Sequence, residues 1–306
     1  MTIAPQEAPA AKSPPAERPR LTRRRFLQTL VGIGVLGAGT WGYARHIEVY
    51  RLVIEQITVP ISGLAARRHN CRIVQLSDLH AGNTKLAHIE RALRLAAELR
   101  PDFLVLTGDN VDSEGADLAA LCRVLKPVTA QIETLGITGN HDFGDNFHHL
   151  AYADRLCAAL TAAGVRMLRN EVYQPRPGGG PGELAFVGVE DLWAGQMQPA
   201  TLDQAPADSS VILLSHNPDS YEALDPHRFH LMLSGHTHGG QVCLPFYGPP
   251  ILPVEHKERA AGLFHLTPRH PERALYVNRG VGYLRRIRLF CPPEITCITL
   301  QNPTLA

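Results

Sequence analysis

The sequence predicts an α/β protein in which strands and helices alternate along the chain. Apolar, β-branched runs of strand length recur, and stretches with apolar residues every three or four positions lie between several of them. This alternation favours a sheet with much parallel pairing. With 306 residues, 44% of them hydrophobic, the chain is long enough to bury one sizeable core.

Strands and helices can be assigned in chain order from these patterns. Strands are predicted over residues 52–59, 72–76, 103–106, 133–137, 184–189, 211–214 and 231–233. Helices are predicted over residues 88–99, 118–125 and 152–163, where Ala and Leu are frequent. After residue 216 the helical signal weakens, and short strands are predicted over residues 241–244, 274–277 and 294–300. Residues 175–182 and 244–253 are predicted loops, because Pro and Gly are frequent in them.

Charge and cysteine content exclude some classes of function. The chain has 30 Lys and Arg against 29 Asp and Glu, and the Arg residues are scattered, which counts against nucleic acid as the main partner. Its six cysteines have no CxxC spacing and are interpreted as small buried residues. An oxidising destination would permit a bridge such as Cys291 with Cys297, which the sequence leaves open.

The N-terminal region predicts a leader and an export signal. Residues 1–20 are rich in Ala, Pro and Glu, which predicts a disordered leader. Residues 22–28, TRRRFLQ, closely resemble the twin-arginine signal, and a modestly apolar run over residues 29–40 follows. That run is shorter than the 18 or so residues of a spanning helix. A basic N-terminal helix without a targeting role is the alternative.

The export hypothesis has consequences for domains and location. It divides the chain into residues 1–45, a leader with a signal or anchor, and residues 46–306, the functional domain. It predicts the twin-arginine export machinery as a partner and the periplasm or the outer face of the cytoplasmic membrane as the location. No clear A-x-A cleavage site follows the signal, and residues 42–44 are the best candidate. The segment can therefore remain as an N-terminal membrane anchor.

Five short blocks, SDLH, GDN, GNHD, SHN and GHTH, each follow an apolar run that predicts a strand. They supply seven candidate metal ligands: Asp78, His80, Asp109, Asn140, His216, His236 and His238. Oxygen and imidazole donors without a thiolate suit divalent Mn, Fe or Zn. Each block alone has an ordinary explanation, such as a turn or a buried His. Their joint occurrence after strands, where ligands gather in α/β sheets, indicates a metal site.

The ordered blocks resemble the calcineurin-like metallophosphoesterase superfamily, whose pattern is DxH, GD, GNH, a lone His and GHxH. The segments GHTHGGQ (235–241) and NRGVG (278–282) are similar to a small bacterial branch with a twin-arginine signal, which includes UDP-2,3-diacylglucosamine pyrophosphatase-like phosphodiesterases. The resemblance implies a four-layer α/β/β/α sandwich with two sheets packed face to face. Two positions depart from the pattern. Asp142 follows GNH where many members have Glu, and Ser113 stands where protein-phosphatase members have Arg, which counts against a phosphoprotein substrate.

The resemblance also implies roles for individual residues. One divalent ion takes Asp78, His80 and His238, the other takes Asn140, His216 and His236, and Asp109 bridges them. A shared carboxylate offsets the repulsion of two ions held about 3.5–4 Å apart, with a bridging hydroxide as the attacking group. His141 is implied as the proton donor to the leaving oxygen, with the Asp112 carboxylate orienting it. A surface loop charge is the alternative for Asp112.

These features predict a metal-dependent hydrolase of a phosphodiester, a phosphomonoester or a pyrophosphate, with a lipid- or nucleotide-linked substrate as one option. A UDP-2,3-diacylglucosamine-type pyrophosphohydrolase of lipid A synthesis is the first alternative, although export counts against it because UDP-sugar intermediates face the cytoplasm. A non-enzymatic metal-binding envelope protein is the second, and the presence of His141 and Asp112 counts against it. A metallo-hydrolase of amides is disfavoured because HxHxDH is absent. Arg279 is the first choice for a phosphate clamp, with a solvated face as the alternative.

Overall fold

Two six-stranded sheets carry the fold in the computed structural model, which describes residues 22–176, 178, 180–265 and 270–305. The first sheet has the order β1-β12-β2-β3-β4-β5 and the second β10-β11-β9-β8-β7-β6. The strands of the first sheet are β1 (Val53–Pro60), β2 (Cys71–Leu76), β3 (Phe103–Thr107), β4 (Glu133–Ile137), β5 (Val165–Met167) and β12 (Glu294–Gln301). Those of the second are β6 (Glu171–Tyr173), β7 (Leu184–Gly188), β8 (Ser210–Leu214), β9 (Leu231–Ser234), β10 (Gly262–Phe264) and β11 (Ala274–Val277).

Helices are concentrated in the first two thirds of the chain. They are α1 (Arg23–His46), α2 (Leu86–Glu98), α3 (Leu118–Thr129), α4 (Leu150–Ala162) and the single turn α5 (Tyr221–Leu224). The first sheet's outer face packs against α2, α3 and α4 in one apolar cluster. The side chain of Asp117 caps α3 by accepting a hydrogen bond from the Ala120 amide at 2.9 Å, which satisfies a donor that the helix leaves unpaired.

The main core lies between the two sheets. Ile73 and Val105 from the first sheet share one buried cluster with Phe186 and Ile212 from the second. Their neighbours in sequence, such as Val74, belong to the cluster under the helices, because successive strand residues point to opposite faces. The outer face of the second sheet carries its own cluster with α5. The predicted α/β class, with two packed sheets flanked by helices, is confirmed.

The central strands of both sheets run parallel. In the first sheet β2, β3 and β4 are parallel neighbours, and in the second sheet β7, β8 and β9 are. Parallel neighbours end at the same edge of their sheet, so the loops that follow them lie side by side. The five sequence blocks fall in these loops.

Differences from the predicted elements have local causes. The strand predicted over residues 241–244 is wrong, because only isolated bridges from Val242 and Leu244 form there. The chain turns at Gly240 and Gln241, both with positive φ, which ends extended pairing. The three-residue strands β5, β6 and β10 were missed because they are too short for a periodic pattern. The leader predicted over residues 1–20 lies outside the described residues, as do parts of the loop over residues 175–182.

The chain divides into two compact units after Gly42, and the second spans Tyr43–Ala306. Within the described residues, no helix is both long enough and apolar enough to cross a membrane. The apolar side chains of α1 from Phe26 to Leu36 are exposed. The predicted boundary between residues 45 and 46, the export signal and its machinery remain predictions.

Candidate metal centre

The seven predicted ligands follow the ends of five central strands. Asp78 and His80 follow β2, Asp109 follows β3, and Asn140 begins the short turn Asn140–Phe143 after β4. In the second sheet, His216 follows β8, and His236 and His238 follow β9. All seven are buried, with at most 4% of any residue exposed. The fold therefore brings residues from 78 to 238 into one interior site.

Donor atoms at this site form groups compact enough to hold metal ions. Asp78, His80 and His238 form one group, and Asp109, His216 and His236 form another, with the donor atoms of each group within 4.8 Å of one another. Asp109 lies between them, because its Oδ2 atom is 3.6 Å from His80 Nε2 and 3.1 Å from His216 Nε2.

The amide of Asn140 joins the second group. Its Oδ1 atom lies 2.9 Å from Nδ1 of His236. The division of these ligands between two ions, with Asp109 as the bridge, stays a prediction.

Hydrogen bonds to main-chain carbonyls determine which imidazole nitrogens face the centre. Nδ1 of His216 donates to the Thr107 carbonyl at 2.7 Å, and Nε2 of His236 donates to the Pro253 carbonyl at 3.1 Å. A carbonyl only accepts, so the bonded nitrogen of each ring carries its N–H and the opposite nitrogen faces the centre. Nε2 of His216 is buried and faces the Asp109 carboxylate at 3.1 Å. Burial opposes protonation of His216, but the facing Asp109 carboxylate outweighs it and raises the pKa of this imidazole well above its usual range. A buried nitrogen oriented by its opposite N–H is the arrangement of a histidine metal ligand, in which a metal ion takes the place of the proton.

Backbone conformation aims these side chains inward. Five of the seven candidate ligands have φ between 44° and 69°: Asp78, His80, Asp109, His236 and His238. Residues other than Gly seldom adopt a positive φ angle, and those that do cluster at functional sites. The turns also require close approach of the two sheets. A Cβ atom on Gly235 would collide with Ser77 and Asp78, and one on Gly139 would collide with Asp109.

Two buried carboxylates give the site its electrostatic character. Burial raises the pKa of Asp78. Burial also opposes ionisation of Asp109, but the facing His216 outweighs it and holds the pKa of the Asp109 carboxyl well below its usual range. Burial and the neighbouring His216 lower the pKa of His236 to about 3, so this imidazole is neutral. Buried carboxylates beside imidazoles are a donor set that a divalent cation satisfies.

Comparison with known proteins identifies the family. Residues 71–240, more than half of the chain, match the calcineurin-like phosphoesterase family. The chain is 35% identical over 289 residues to Phosphodiesterase YaeI of Escherichia coli (strain K12), with 92% of this chain and 99% of that protein covered. The chain belongs to the calcineurin-like phosphoesterase family. It is therefore a hydrolase of phosphoesters, from a family that uses divalent metals.

Two further relatives extend over most of the chain. An uncharacterized metallophosphoesterase, YkuE of Bacillus subtilis (strain 168), is 32% identical over 293 residues, with 92% of this chain and 99% of that protein covered. UDP-2,3-diacylglucosamine pyrophosphatase LpxG of Chlamydia trachomatis serovar D is 29% identical over 316 residues, with 88% and 94% covered. The similarity thus extends beyond the matched family region, residues 71–240.

His141 lies beside the shared carboxylate of this phosphoesterase. Its amide donates to Asp109 Oδ1 at 2.9 Å, and its ring centroid is 4.9 Å from that of His80. Its Nδ1 atom donates to the main-chain carbonyl of Asp112 at 2.9 Å. The Asp112 carboxylate instead lies 3.4 Å from Nδ1 of His80. The sequence prediction that this carboxylate orients His141 is therefore wrong, because the turn after β3 presents the carbonyl to His141.

Asp142, which departs from the common family pattern, forms hydrogen bonds to the loops that follow β3 and β4. Its carboxylate accepts hydrogen bonds from the Gly139 amide at 3.0 Å, the Asn110 side chain at 2.8 Å and the Val111 amide at 3.1 Å. Burial raises its pKa to about 7. These bonds connect the loop after β3 with the loop after β4, so Asp142 supports the positions of Asp109 and Asn140.

Sequence reasoning missed aromatic and acidic residues beside the centre. Trp193 packs edge to face on His236, with ring centroids 4.5 Å apart, and Phe147 packs on His141 at 5.1 Å. Asp191 is buried, accepts hydrogen bonds from the Trp193 and Ala194 amides, and has its pKa raised to about 6 by burial. A cavity of about 280 Å³ next to this tryptophan is lined by Leu192, Trp193, Asp219, Pro253, Val254 and Glu255. The only sequence signal for these residues was that the segment DLW, residues 191–193, follows a predicted strand.

The C-terminal arginines have structural contacts. Arg279 forms ion pairs with Glu294 and Glu55, so its guanidinium is already engaged, contrary to the phosphate clamp considered from the sequence. Arg288 is fully buried and donates to main-chain carbonyls, including those of Gly282 at 2.7 Å and Cys291 at 3.2 Å. It thereby connects the C-terminal loop to the segment that carries His238.

The six cysteines are free thiols. The thiol of Cys291 lies 3.4 Å from the Gly239 carbonyl, and that of Cys243 lies 3.3 Å from the same oxygen. Cys297 is within β12, so the structure does not contain the bridge that the sequence left open. The side chains of Cys243 and Cys291 interact with each other.

Proposed function

We propose that this phosphoesterase is a binuclear enzyme that uses two divalent ions of the Mn, Fe or Zn type. One ion would bind Asp78, His80 and His238. The other would bind Asn140, His216 and His236, and Asp109 would bridge the two. The observation that carries the proposal is the position of the Asp109 carboxylate, within 3.6 Å of His80 and 3.1 Å of His216.

The donor chemistry supports this assignment. When bound, two such ions supply Lewis acidity and ionise a water molecule near neutral pH, which gives a nucleophile for in-line displacement. The donor side chains are buried and held in place. The Thr107 and Pro253 carbonyls orient two imidazoles, and the hydrogen bonds of Asp142 hold the loops that carry oxygen donors. Asn140 provides a neutral oxygen, which preserves positive charge for the phosphoryl group.

His141 is suited to protonating the leaving oxygen. Its Nδ1 atom is occupied by the Asp112 carbonyl, so Nε2 is the nitrogen available to a substrate. The ring is half-buried and lies beside His80 and Phe147. General acid catalysis requires this proximity to the reacting oxygen.

A phosphodiester is the substrate class that we favour, with a phosphomonoester or a pyrophosphate as the other options. The Escherichia coli relative, which is more similar to this chain than the Chlamydia relative is, bears the name of a phosphodiesterase. The Chlamydia relative bears the name of a UDP-2,3-diacylglucosamine pyrophosphatase, which favours a lipid-linked pyrophosphate as the alternative. Family membership and the position of His141 disfavour the non-enzymatic alternative.

Export by the twin-arginine route to the outer face of the cytoplasmic membrane completes the proposal. The TRRRFLQ motif begins α1, whose exposed apolar side chains suit association with a membrane through the N-terminus. Replacing Arg23 and Arg24 by Lys should retain folded, active enzyme in the cytoplasm, because this route carries folded proteins. Cell fractionation of both forms tests this. Equal distribution of the two forms would contradict export and favour the lipid A alternative.

A direct assay tests the enzymatic part. Purified full-length protein with added Mn would be offered a phosphodiester, a phosphomonoester and UDP-2,3-diacylglucosamine in parallel, and bound metal would be counted by mass spectrometry. We expect two ions per chain and turnover of the diester above that of the monoester. Turnover of the UDP-lipid alone would select the pyrophosphohydrolase. Metal binding without any turnover would favour the non-enzymatic alternative.

A further inference from the structure

A group of exposed apolar side chains borders the metal centre. Phe246 is fully exposed, and Ile251, Tyr247 and Phe290 are 80%, 74% and 62% exposed. We name these four residues the apolar rim. Within the described residues of the second unit, no other large hydrophobic side chain is as exposed as the first three. Exposed apolar surface of this extent commonly marks an interaction site.

The apolar rim combines two segments that hydrogen bonds hold together. The loop over residues 244–253 carries the first three side chains, and the segment over residues 284–291 carries Phe290. The Cys243 amide donates to the Leu289 carbonyl at 2.8 Å, and the Leu289 amide donates to the Gln241 carbonyl at 2.9 Å. The two segments therefore form one surface.

The backbone holds these side chains outward. Phe246 and Phe290 both have positive φ, 65° and 52°. This conformation is a genuine outlier for a bulky residue and commonly marks a functional position. Leu244 and Gly248 exchange two main-chain hydrogen bonds of 2.9 Å, and four prolines stiffen the loop. A stiff loop of this kind cannot fold back to bury its apolar tip.

Charge around the apolar rim is exclusively positive within its two segments. Residues 241–253 contain no charged side chain. Residues 284–291 contain three arginines and no acidic residue, and the buried Arg288 adds no surface charge. Arg285 is exposed and Arg286 is partly exposed. Aromatic side chains flanked by Arg match the interface of a bilayer, where anionic headgroups attract each basic residue.

The apolar rim also has a fixed relation to the catalytic centre. The loop that carries Phe246 ends at Pro253, whose carbonyl accepts the hydrogen bond from His236. Insertion of the loop tip into a membrane would hold the metal centre close to the lipid headgroups. A phosphoester in a lipid headgroup would then lie near the proposed ions.

We propose that the apolar rim docks on the surface of an anionic lipid bilayer and presents the metal centre to phospholipid-like substrates. This contact is distinct from any anchoring by the N-terminal helix. The membrane contact stands independently, whereas its catalytic consequence rests on the proposed function.

Site-specific fluorescence can test the contact in the full-length protein. Phe246→Trp would report on the apolar rim, and Leu305→Trp, at a residue 52% exposed near the C-terminus, is the matched control. The native Trp41 and Trp193 contribute to the emission of every form, so each variant is compared with the wild-type protein. With vesicles of phosphatidylcholine and phosphatidylglycerol, only the emission that Phe246→Trp adds to that of the wild type should shift to the blue and be quenched by brominated lipid. Unchanged emission, an equal change at both positions, or no binding to vesicles would each overturn the proposal.

An activity assay separates this inference from the proposed function. The double variant Phe246→Asp with Ile251→Asp should lose at least tenfold in rate on a phosphoester lipid in vesicles. It should keep its rate on a soluble ester, as should the control Leu305→Asp. An equal rate on vesicles would contradict the presentation of substrate. A wild-type protein without activity on either substrate would contradict the proposed function. The membrane contact would then be judged by the fluorescence experiment alone.

Discussion

The two sheets bring different chemistry to the same centre. The first sheet supplies three oxygen donors and one imidazole: Asp78, Asp109, Asn140 and His80. The second supplies imidazoles alone: His216, His236 and His238. The first therefore provides the carboxylates, and the second provides imidazole nitrogens, of which His216 and His236 are oriented by main-chain carbonyls.

This difference shows that the two proposed ion sites each take donors from both sheets. The group around Asp78 takes His238 from the opposite sheet, and the group around His216 takes Asp109. The close contact of Gly235 with Ser77 shows how tightly the two edges meet. Metal affinity should therefore depend on packing between the sheets as well as on the ligands.

Removing the shared oxygen should have the largest effect. Asp109→Ala deletes the carboxylate that lies 3.6 Å from His80 and 3.1 Å from His216, so bound metal should decrease toward one or no ion per chain and activity should be lost with it. Metal counting and the diester assay check this. Asp117→Ala, which removes the cap of α3, is the control and should cost about 1 kcal/mol of stability without changing metal content. Two ions bound at unchanged affinity in Asp109→Ala would contradict the bridging role.

Loss of the proton donor should be the next largest effect. His141→Ala leaves every proposed ligand in place, so metal should remain while the rate on esters with poor leaving groups falls by about 10² to 10⁴. Activated aryl esters leave without a proton and should lose much less. His149→Ala, at an exposed histidine paired with Glu114, is the control. An equal loss on both kinds of ester would exclude the assignment.

The position of Asp112 predicts a smaller change. Because its main-chain carbonyl contacts His141, Asp112→Ala should retain this contact and lower the rate on poor leaving groups far less than His141→Ala does. Parallel kinetics of the two variants give the comparison. A loss as large as that of His141→Ala would restore the role that the sequence suggested for the carboxylate.

A variant away from the ligands should have the smallest effect. Glu183, just before β7, pairs with Arg67 and Arg68, and although burial opposes its ionisation, Arg68 lowers its pKa. Glu183→Gln should reduce the free energy of unfolding at pH 7 by about 1 kcal/mol, because such part-exposed pairs contribute little. Metal content should be unchanged.

The pH dependence of this difference follows from the sign of the shift. The folded-state pKa lies below the unfolded value of about 4.3, so the pair's contribution is complete above that pH. It is lost as pH falls through the lower folded-state pKa. Denaturant titrations of both proteins between pH 3 and 7 measure this, and a difference that grows on acidification would contradict the ion pair.

The sequence predicted most of the central strands to within one or two residues, because buried parallel strands are continuous apolar runs. It did not predict β5, β6 and β10, which contain three residues each. Residues 241–244 have apolar character but lie in a turn, since Gln241 has positive φ and Pro245 interrupts pairing. Short or strained segments depend on their neighbours more than on their own pattern.

The sequence by itself determined the identity of the candidate ligands, because five blocks in a fixed order after strands carry enough information to indicate a metal site. Tertiary structure alone decided how those ligands are oriented. Carbonyls from Thr107 and Pro253 select the imidazole nitrogens, and a carbonyl takes the place expected for the Asp112 carboxylate. These contacts join residues far apart in the chain through main-chain atoms, which every residue possesses, so no pattern of side chains could have revealed them.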